Sequence, residues 1–181
     1  MTKHRSIPLA FIAACLSMPA RADAPNYHYK YDVQGRLAQV CTARPGDGEL
    51  TRYSYDQASN RTSYNNQKVD LALTPESGIF SPDNRFLLWM QSDGNLVLYY
   101  RTGPGWSWAP LGWATNTVGS GADIAYFQSD GNLVLYSPSG VVWSTGNGGY
   151  PCATLQIAND GNLTIQTTDG AIAWSSNTGG H

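Results

Sequence analysis

The sequence predicts an all-β protein, and three observations lead to that prediction. The nine residues QSDGNLVLY occur identically at 91–99 and 128–136, and a weaker copy, ANDGNLTIQ, follows at 158–166. Each copy leads into a turn that contains a tryptophan: Trp113, Trp143 and Trp174. Only 13% of residues are charged and 19 are glycine, which is typical of many short strands joined by turns. Self-similarity at roughly 30–40 residues indicates one supersecondary unit used several times, each copy too small to bury its apolar face alone.

Residues 1–22 predict an export signal. The basic stretch KHR at 3–5 precedes an apolar run, and ARA at 20–22 is a small-x-small cleavage site. Because the apolar run is too short to span a bilayer, we expect no transmembrane segment, and a secreted or periplasmic protein. The string IAAC at 12–15 is similar to a bacterial lipoprotein box, and it leaves open anchoring through a lipidated Cys15.

Residues 23–68 hold a different, shorter repeat. The string YKYDVQGRL begins at Tyr29, and YSYDQASNRT begins 24 residues later at Tyr53. Alternating tyrosines, an aspartate, a turn and an arginine predict a β-hairpin with aromatic cross-strand pairs. These strings resemble the YD repeats of bacterial Rhs-type cell-surface and toxin-shell proteins, which implies a bacterial origin. Isolated hairpins are marginal in water, so we expect this short N-terminal hairpin extension to pack on the rest of the protein or on another chain.

Each nine-residue copy predicts a hairpin, because Asp-Gly between apolar runs favours a tight turn. In the first copy we expect one strand over 88–91, a turn over 92–95 and the return strand over 96–99. Side chains alternate faces along a strand, so the leucines of the return strand face the interior. The other face then carries four polar residues and one valine: Gln91, Asp93, Asn95, Val97 and Tyr99. The second copy presents the same set: Gln128, Asp130, Asn132, Val134 and Tyr136.

This polar face suits a sugar. A pyranose shows adjacent hydroxyls that donate and accept, while a carboxylate accepts and amides and phenols do both. The valine offers apolar contact to the C–H surface of the ring. A hydroxyl of the wrong orientation would leave a desolvated partner unpaired, at a cost of about 1–3 kcal/mol.

The pattern Gln-x-Asp-x-Asn-x-Val-x-Tyr resembles the mannose-binding signature of the bulb-type lectins, the monocot or snowdrop group, and the resemblance covers residues 70–178. It implies a β-prism of three four-stranded antiparallel sheets with pseudo-threefold symmetry and tryptophans near the centre. It also implies that the Asp and Asn meet the O2 hydroxyl of mannose, the Gln the O3 side and the Tyr the O4 hydroxyl. No metal or cofactor is implied.

The third copy departs from the signature. Ala158, Thr164 and Gln166 stand where Gln, Val and Tyr are expected, and only Asp160 and Asn162 remain. We therefore interpret it as a degenerate third site, retained for packing.

The first copy differs from the second in the length of the connection to its tryptophan turn. Thirteen residues separate Tyr99 from Trp113, against six between Tyr136 and Trp143. The longer connection is a Gly/Pro-rich loop with Trp106 and Trp108, written in one-letter code as GPGWSW over 103–108. Two interpretations stay open: these aromatics stack on a sugar or a partner, or they fold over the edge of the prism.

Charge and residue types exclude several functions. Beyond residue 22 the chain has 8 Lys/Arg against 13 Asp/Glu, so its surface would repel nucleic acid. Two cysteines, Cys41 and Cys152, and two isolated histidines, His28 and His181, offer no metal-ligand pattern. No paired carboxylates suit a glycosidase, and we expect no enzyme. In an oxidising compartment the two cysteines could join the extension to the prism, or they could remain free thiols.

Three functions follow as hypotheses. The first is a secreted bacterial lectin that binds terminal mannose or mannose-containing polysaccharide, as a monomer or a homodimer. The second is a lectin-like bacteriocin or the receptor-binding component of a toxin, which would kill related strains. The third is a structural fragment of an Rhs-like surface protein, which would bind no sugar.

Overall fold

The structure is a computed structural model that describes residues 26–43, 48–105 and 107–181. The predicted all-β fold is confirmed, since the described residues form strands in four antiparallel sheets. The strands are β1 (Asn26–Tyr31), β2 (Leu37–Ala43), β3 (Glu49–Tyr55), β4 (Arg61–Lys68), β5 (Leu71–Leu73), β6 (Ser77–Phe80), β7 (Phe86–Met90), β8 (Leu96–Arg101), β9 (Trp108–Ala114), β10 (Ile124–Phe127), β11 (Leu133–Ser137), β12 (Gly140–Ser144), β13 (Thr154–Ile157), β14 (Leu163–Gln166) and β15 (Ile172–Ser175). The predicted export signal with Cys15, and Trp106 of the insert, lie outside the described residues. In the part that is described, no helix is long and apolar enough to cross a bilayer.

The N-terminal extension is larger than the predicted hairpin. Strands β1–β4 pair in sequence order, so each tyrosine-containing repeat makes one hairpin of a four-stranded sheet. Asp32 holds the first turn, because its carboxylate accepts the backbone N–H of Arg36 at 2.9 Å and the Nε of the same residue at 2.7 Å. Asp56 holds the second turn by accepting the backbone N–H of Asn60 at 2.8 Å. The repeated aspartates therefore shape two equivalent turns.

The three nine-residue copies build three further sheets. The first sheet is β6-β7-β8-β9, the second is β5-β10-β11-β12, and the third is β13-β14-β15. Each copy supplies the turn of a central hairpin, β7–β8, β10–β11 or β13–β14. Strand β5 precedes the first sheet in sequence but pairs with β10 of the second, so the chain crosses between the two sheets. The third sheet has three strands within the described ranges, one fewer than predicted.

The three sheets share one hydrophobic core. The residues of the return strands that were predicted to face inward belong to this core and are at most 1% exposed: Leu96, Leu98, Leu133, Leu135, Leu163 and Ile165. The tryptophans of the three turns pack edge-to-face, with the ring of Trp113 6.0 Å from that of Trp143 and 5.6 Å from that of Trp174. This arrangement places the hairpin turns, with their polar residues, at the ends of rigid strands.

A second, smaller core joins the N-terminal sheet to the prism. Cys41 of β2 and Cys152, which lies beyond the second sheet in sequence, form a disulfide with a Cα–Cα distance of 6.1 Å across 111 residues. Both cysteines are buried beside Leu50 and Val69. The alternative of two free thiols is therefore wrong, and the disulfide ties extension and prism together.

Candidate functional site

Each copy places its polar residues around a tight turn that requires glycine. Gly94, Gly131 and Gly161 have φ values of 89°, 92° and 89°, a region that glycine adopts without steric cost. At Gly131 a Cβ would lie 2.6 Å from the backbone oxygen of Tyr150, so no side chain fits there. In the two complete copies the turn brings the first and last residues within hydrogen-bond distance.

The glutamine and tyrosine of the two complete copies form a pair. Gln91 Nε2 donates to the hydroxyl of Tyr99 at 2.7 Å, and Gln128 Nε2 donates to the hydroxyl of Tyr136 at 3.0 Å. The hydrogen bond orients both groups and still leaves the phenol O–H to donate and the amide oxygen to accept. Each of the two hairpins therefore carries one hydrogen-bond donor and one acceptor that are oriented before a ligand arrives.

The aspartates of all three copies each make the same kind of hydrogen bond. Oδ1 of Asp93, Asp130 and Asp160 accepts the backbone N–H of the residue two positions on, at 3.0 Å in each case. This is the local turn that Asp favours. The aspartates are exposed at the turn, so the second carboxylate oxygen is placed to accept a hydrogen bond from a ligand. The aspartate therefore shapes the turn as well as offering an acceptor.

The asparagines have a structural role that the sequence analysis missed. Oδ1 of Asn95 accepts from Thr115 Oγ1 at 3.1 Å and from the Thr117 N–H at 3.2 Å. Oδ1 of Asn132 accepts from Thr145 Oγ1 at 3.0 Å and from the Asn147 N–H at 3.2 Å. Each asparagine thus pins its hairpin to the tryptophan turn that comes next in the chain.

The third copy keeps the same contact. Oδ1 of Asn162 accepts from Ser176 Oγ at 3.2 Å and from the Thr178 N–H at 3.3 Å. A signal for it was present in the sequence, because Thr115, Thr145 and Ser176 each stand two residues after a tryptophan.

A cavity of about 390 Å³ opens beside the first hairpin. Its lining combines three predicted site residues with five that were not predicted as such: Gln91, Asp93 and Tyr99 with Glu76, Leu87, Trp89, Ser92 and Trp108. Glu76 is tied to the turn, since its Oε1 accepts the backbone N–H of Ser92 at 3.1 Å. The volume lies in the range of small-molecule sites, about 300–1,000 Å³.

The electrostatics of this cavity keep the phenol protonated. Burial raises the pKa of Tyr99 above its ordinary value of 10.0, and the Asp93 carboxylate raises it further, against the hydrogen bond from Gln91. The Tyr99 hydroxyl is therefore a hydrogen-bond donor at neutral pH, beside a carboxylate that accepts. Such a pairing recognises neighbouring hydroxyl groups.

Solved structures of lectins are similar to this chain. A structure titled Japanese Marasmius oreades lectin is 28% identical with a TM-score of 0.51, over 61% of this chain and 91% of that one. Monomeric monocot mannose-binding lectins from Gastrodia elata are also 28% identical with a TM-score of 0.51, over 62% of this chain and 99% of that one. No protein-family model and no curated protein matches the sequence.

The three sheets form a lectin-type β-prism. The prism is similar to a structure whose title describes monocot mannose-binding lectins, and this likeness supports a carbohydrate-binding lectin domain. A lectin from Mycobacterium smegmatis, titled a domain-swapped dimer, is 34% identical over 59% of this chain and 93% of that one, with a TM-score of 0.32. At that score the likeness gives no support for any assembly of this chain.

The valines of the lectin-type prism differ from the expectation. Val97 and Val134 are only 5% and 2% exposed, so they offer little apolar surface to a sugar ring. Val97 lines a separate surface depression with Pro110 and Trp113 rather than the cavity that holds Gln91. The apolar walls of the first site are instead the half-buried Trp89 and Trp108, with the buried Leu87 beneath them.

The third copy lacks the glutamine–tyrosine pair. Gln166 stands at the tyrosine position and is engaged locally: its Oε1 accepts from Gln156 Nε2 at 3.2 Å, and its Nε2 donates to the backbone oxygen of Gly170 at 3.0 Å. Asp160 and Asn162 keep the turn contacts common to all copies, and Asn162 Oδ1 also accepts from Ser175 Oγ at 2.9 Å. Their presence is explained by folding alone.

Proposed function

We propose that this protein is a lectin that recognises terminal mannose or mannose-containing glycans through two sites, one in each complete copy. The sites consist of the polar residues of the predicted set, Gln91, Asp93, Asn95 and Tyr99, and Gln128, Asp130, Asn132 and Tyr136. The valines predicted with them, Val97 and Val134, are buried in the strands. The observation that carries the proposal is the hydrogen-bonded glutamine–tyrosine pair beside an exposed aspartate, present twice. It is supported by the likeness of the prism to mannose-binding lectins.

The internal hydrogen bonds define which atoms meet the sugar. Oδ1 of each aspartate and asparagine is used within the protein, so a ligand would meet the aspartate Oδ2 and the asparagine Nδ2. The tyrosine O–H and the glutamine Oε1 complete a set of two donors and two acceptors. Because this set is fixed in advance, a hexose with one inverted hydroxyl leaves a group unpaired, at about 1–3 kcal/mol.

Single sites of this kind bind weakly. A shallow four-group site corresponds to a Kd on the order of millimolar, or about −4 kcal/mol. Two sites on one chain raise the avidity for a glycan that carries several terminal mannoses, provided that both can be engaged at once. A homodimer would double the number of sites. Polysaccharide or a glycan-coated surface is therefore a better partner than free sugar.

The experiment is a calorimetric titration with methyl α-mannoside. The Tyr99→Phe/Tyr136→Phe double variant retains both rings but removes both phenol hydroxyls, and we expect at least a fivefold weaker Kd, from about 1 kcal/mol per lost hydrogen bond. Tyr100→Phe is the matched control, because Tyr100 lies on the same strand with its side chain on the opposite face.

Two results would contradict the proposal. Folded wild-type protein that shows neither heat nor NMR saturation transfer with the mannoside would exclude a lectin of this specificity. Equal loss of binding in Tyr100→Phe and in the double variant would show that the hydroxyls at 99 and 136 have no special role.

We further propose that the protein is exported. The basic stretch, the apolar run and the ARA string at 20–22 support a cleaved signal, and the Cys41–Cys152 disulfide is typical of an oxidising compartment. Mass spectrometry of protein purified from its native host should find an N-terminus at Asp23. A diacylated Cys15 in the membrane fraction would instead establish a lipid anchor.

A further inference from the structure

The first and second sites are not equivalent, because the long insert contributes a wall to the first. Strand β9 begins with Trp108, which pairs with Arg101 at the end of β8. Residues directly opposite in an antiparallel pair share a face, so Trp108 lies on the face that carries Tyr99, two residues before Arg101. Trp108 lines the same cavity as Gln91 and Asp93.

Trp108 is held from two sides. Its ring lies 5.9 Å from that of Phe80, which belongs to β6 at the opposite edge of the same sheet. The Arg101 guanidinium lies 5.2 Å from the centre of the Trp108 ring. The two aromatic rings therefore meet above the outer face of the sheet, where Leu87 is 6% exposed. These contacts hold the indole against the outer face of the sheet.

The indole N–H is the unusual feature of this wall. Trp108 Nε1 is buried and, among the described residues, has no hydrogen-bond partner. An indole nitrogen can only donate, and a buried donor without a partner is destabilising. Buried tryptophans normally find an acceptor for this group. A small rotation of the indole toward the adjoining cavity, which Trp108 lines, would let a ligand hydroxyl or ring oxygen supply the acceptor.

We propose that the first site has a second subsite, formed by Trp108 with Trp89 and Glu76, which takes the sugar next to the terminal mannose. The proposal rests on the proposed function, since the terminal residue is placed at Gln91, Asp93 and Tyr99. The indole N–H donates to the second sugar, and the aromatic rings pack against its C–H surface. The first site thus selects a disaccharide or longer mannoside.

The second site has no equivalent wall in sequence. Only six residues connect Tyr136 to Trp143, and they form the tight β11–β12 turn at Ser137 and Gly140. Under this proposal each protein molecule has a first site that binds two sugars and a second site that binds one, and the second serves as a control for the first.

The test compares methyl α-mannoside with α-linked mannobiose by calorimetry in two variants. Gln128→Ala/Tyr136→Phe removes the second site and leaves the first, and we call it the first-site variant. In this variant we expect mannobiose to bind about five- to tenfold more tightly than the monosaccharide, from one added hydrogen bond and one aromatic contact. Gln91→Ala/Tyr99→Phe removes the first site, and in it the two sugars should bind with equal affinity.

Substitutions of Trp108 in the first-site variant decide the role of the indole. Trp108→Phe keeps an aromatic ring beside Phe80 but removes the N–H, and it should reduce the preference for mannobiose to about two- to threefold. Trp108→Ala should abolish the preference. Should Trp108→Ala fail to fold, saturation-transfer NMR on the first-site variant, with and without Trp108→Phe, gives the same information from the signals of the second sugar.

The outcomes separate the two proposals. If both sugars bind equally in the first-site variant, or if the preference survives both Trp108 substitutions, the second subsite is wrong and the lectin function stands. If neither sugar binds to folded protein, the proposed function and the subsite fail together.

Discussion

Replacing Asn162 by alanine should destabilise the protein without changing how it binds mannose. Asn162 belongs to the third copy, which lacks the glutamine–tyrosine pair, so it has no part in either proposed site. Its Oδ1 accepts hydrogen bonds from Ser175 Oγ at 2.9 Å, Ser176 Oγ at 3.2 Å and the Thr178 N–H at 3.3 Å. Alanine removes the acceptor for all three donors.

The loss of stability in Asn162→Ala depends on which of the three donors find another acceptor. The two serine hydroxyls can rotate, and Ser176 already contacts Thr178 Oγ1 at 2.8 Å. The Thr178 N–H is fixed and half-buried, so its loss of a partner sets the cost, at about 1–3 kcal/mol. For a protein of this size that cost corresponds to a Tm lower by about 2–12 °C.

The assay combines urea denaturation with calorimetry on the same preparations. Asn132→Ala is the matched variant, because Asn132 makes the equivalent contacts to Thr145 and Asn147 in a complete site. Both variants should lose similar stability, but only Asn132→Ala should lose one of the two mannose sites. An Asn162→Ala protein with unchanged stability, or with weaker mannose binding, would refute the division between folding and recognition.

Three further predictions concern the disulfide and two titrating groups. The Cys41→Ala/Cys152→Ala variant should lose about 3–5 kcal/mol in urea denaturation, because the disulfide closes a loop of 111 residues in the unfolded chain; a loss below about 1 kcal/mol would contradict this account. Burial raises the pKa of the Tyr99 phenol, which should ionise only above pH 10. The stability contributed by the neutral phenol should be lost as the pH rises through that raised pKa. The difference in ultraviolet absorbance between wild type and Tyr99→Phe, followed against pH, measures the ionisation of this phenol. The side-chain hydrogen bond from Arg85 lowers the pKa of Asp83 from 3.8 to about 2. The ionised Asp83 should therefore stabilise the fold above pH 3.8, and this stabilisation should be lost as the pH falls through 2. Carboxyl NMR should show the pKa of Asp83 returning toward 3.8 in Arg85→Leu.

The fold could be predicted because it repeats. Asp-Gly at the turn and alternating leucines specify a hairpin locally, and three copies specify the sheets that share a core. Leu96 and Leu98, predicted to face inward, are fully buried. The pairing of β5 with the second sheet could not be predicted, because its three residues have no local signal and their partner lies about 50 residues away. The disulfide was one of two alternatives for the same reason, since sequence gives no distance between Cys41 and Cys152.

The site was predicted as a set of residues but not as a division of roles. Sequence places Asn95 and Val97 on the sugar-facing side of the strand, and alternation says nothing of how closely the next turn approaches them. In the structure the turn after Trp113 reaches back to Asn95, and Val97, which pairs with Ala114, is buried. The apolar wall comes instead from Trp108, which a long insert returns to the sheet. Contacts of this kind depend on tertiary packing, which periodicity does not encode.

The degenerate copy shows which residues of the signature have a role in folding. Asp160 and Asn162 make the same turn contacts as their counterparts in the complete copies, at 3.0 Å for the aspartate in every case. We expect a chain that kept only the aspartate and the asparagine to fold in the same way and to bind no sugar hydroxyl. The glutamine–tyrosine hydrogen bond, in contrast, joins a glutamine just after one strand to a tyrosine within the next, and the backbone ladder already holds these two strands together. We therefore expect that folding does not require it. The number of mannose sites in a prism of this type should therefore equal the number of glutamine–tyrosine pairs, which is two among the described residues of this protein.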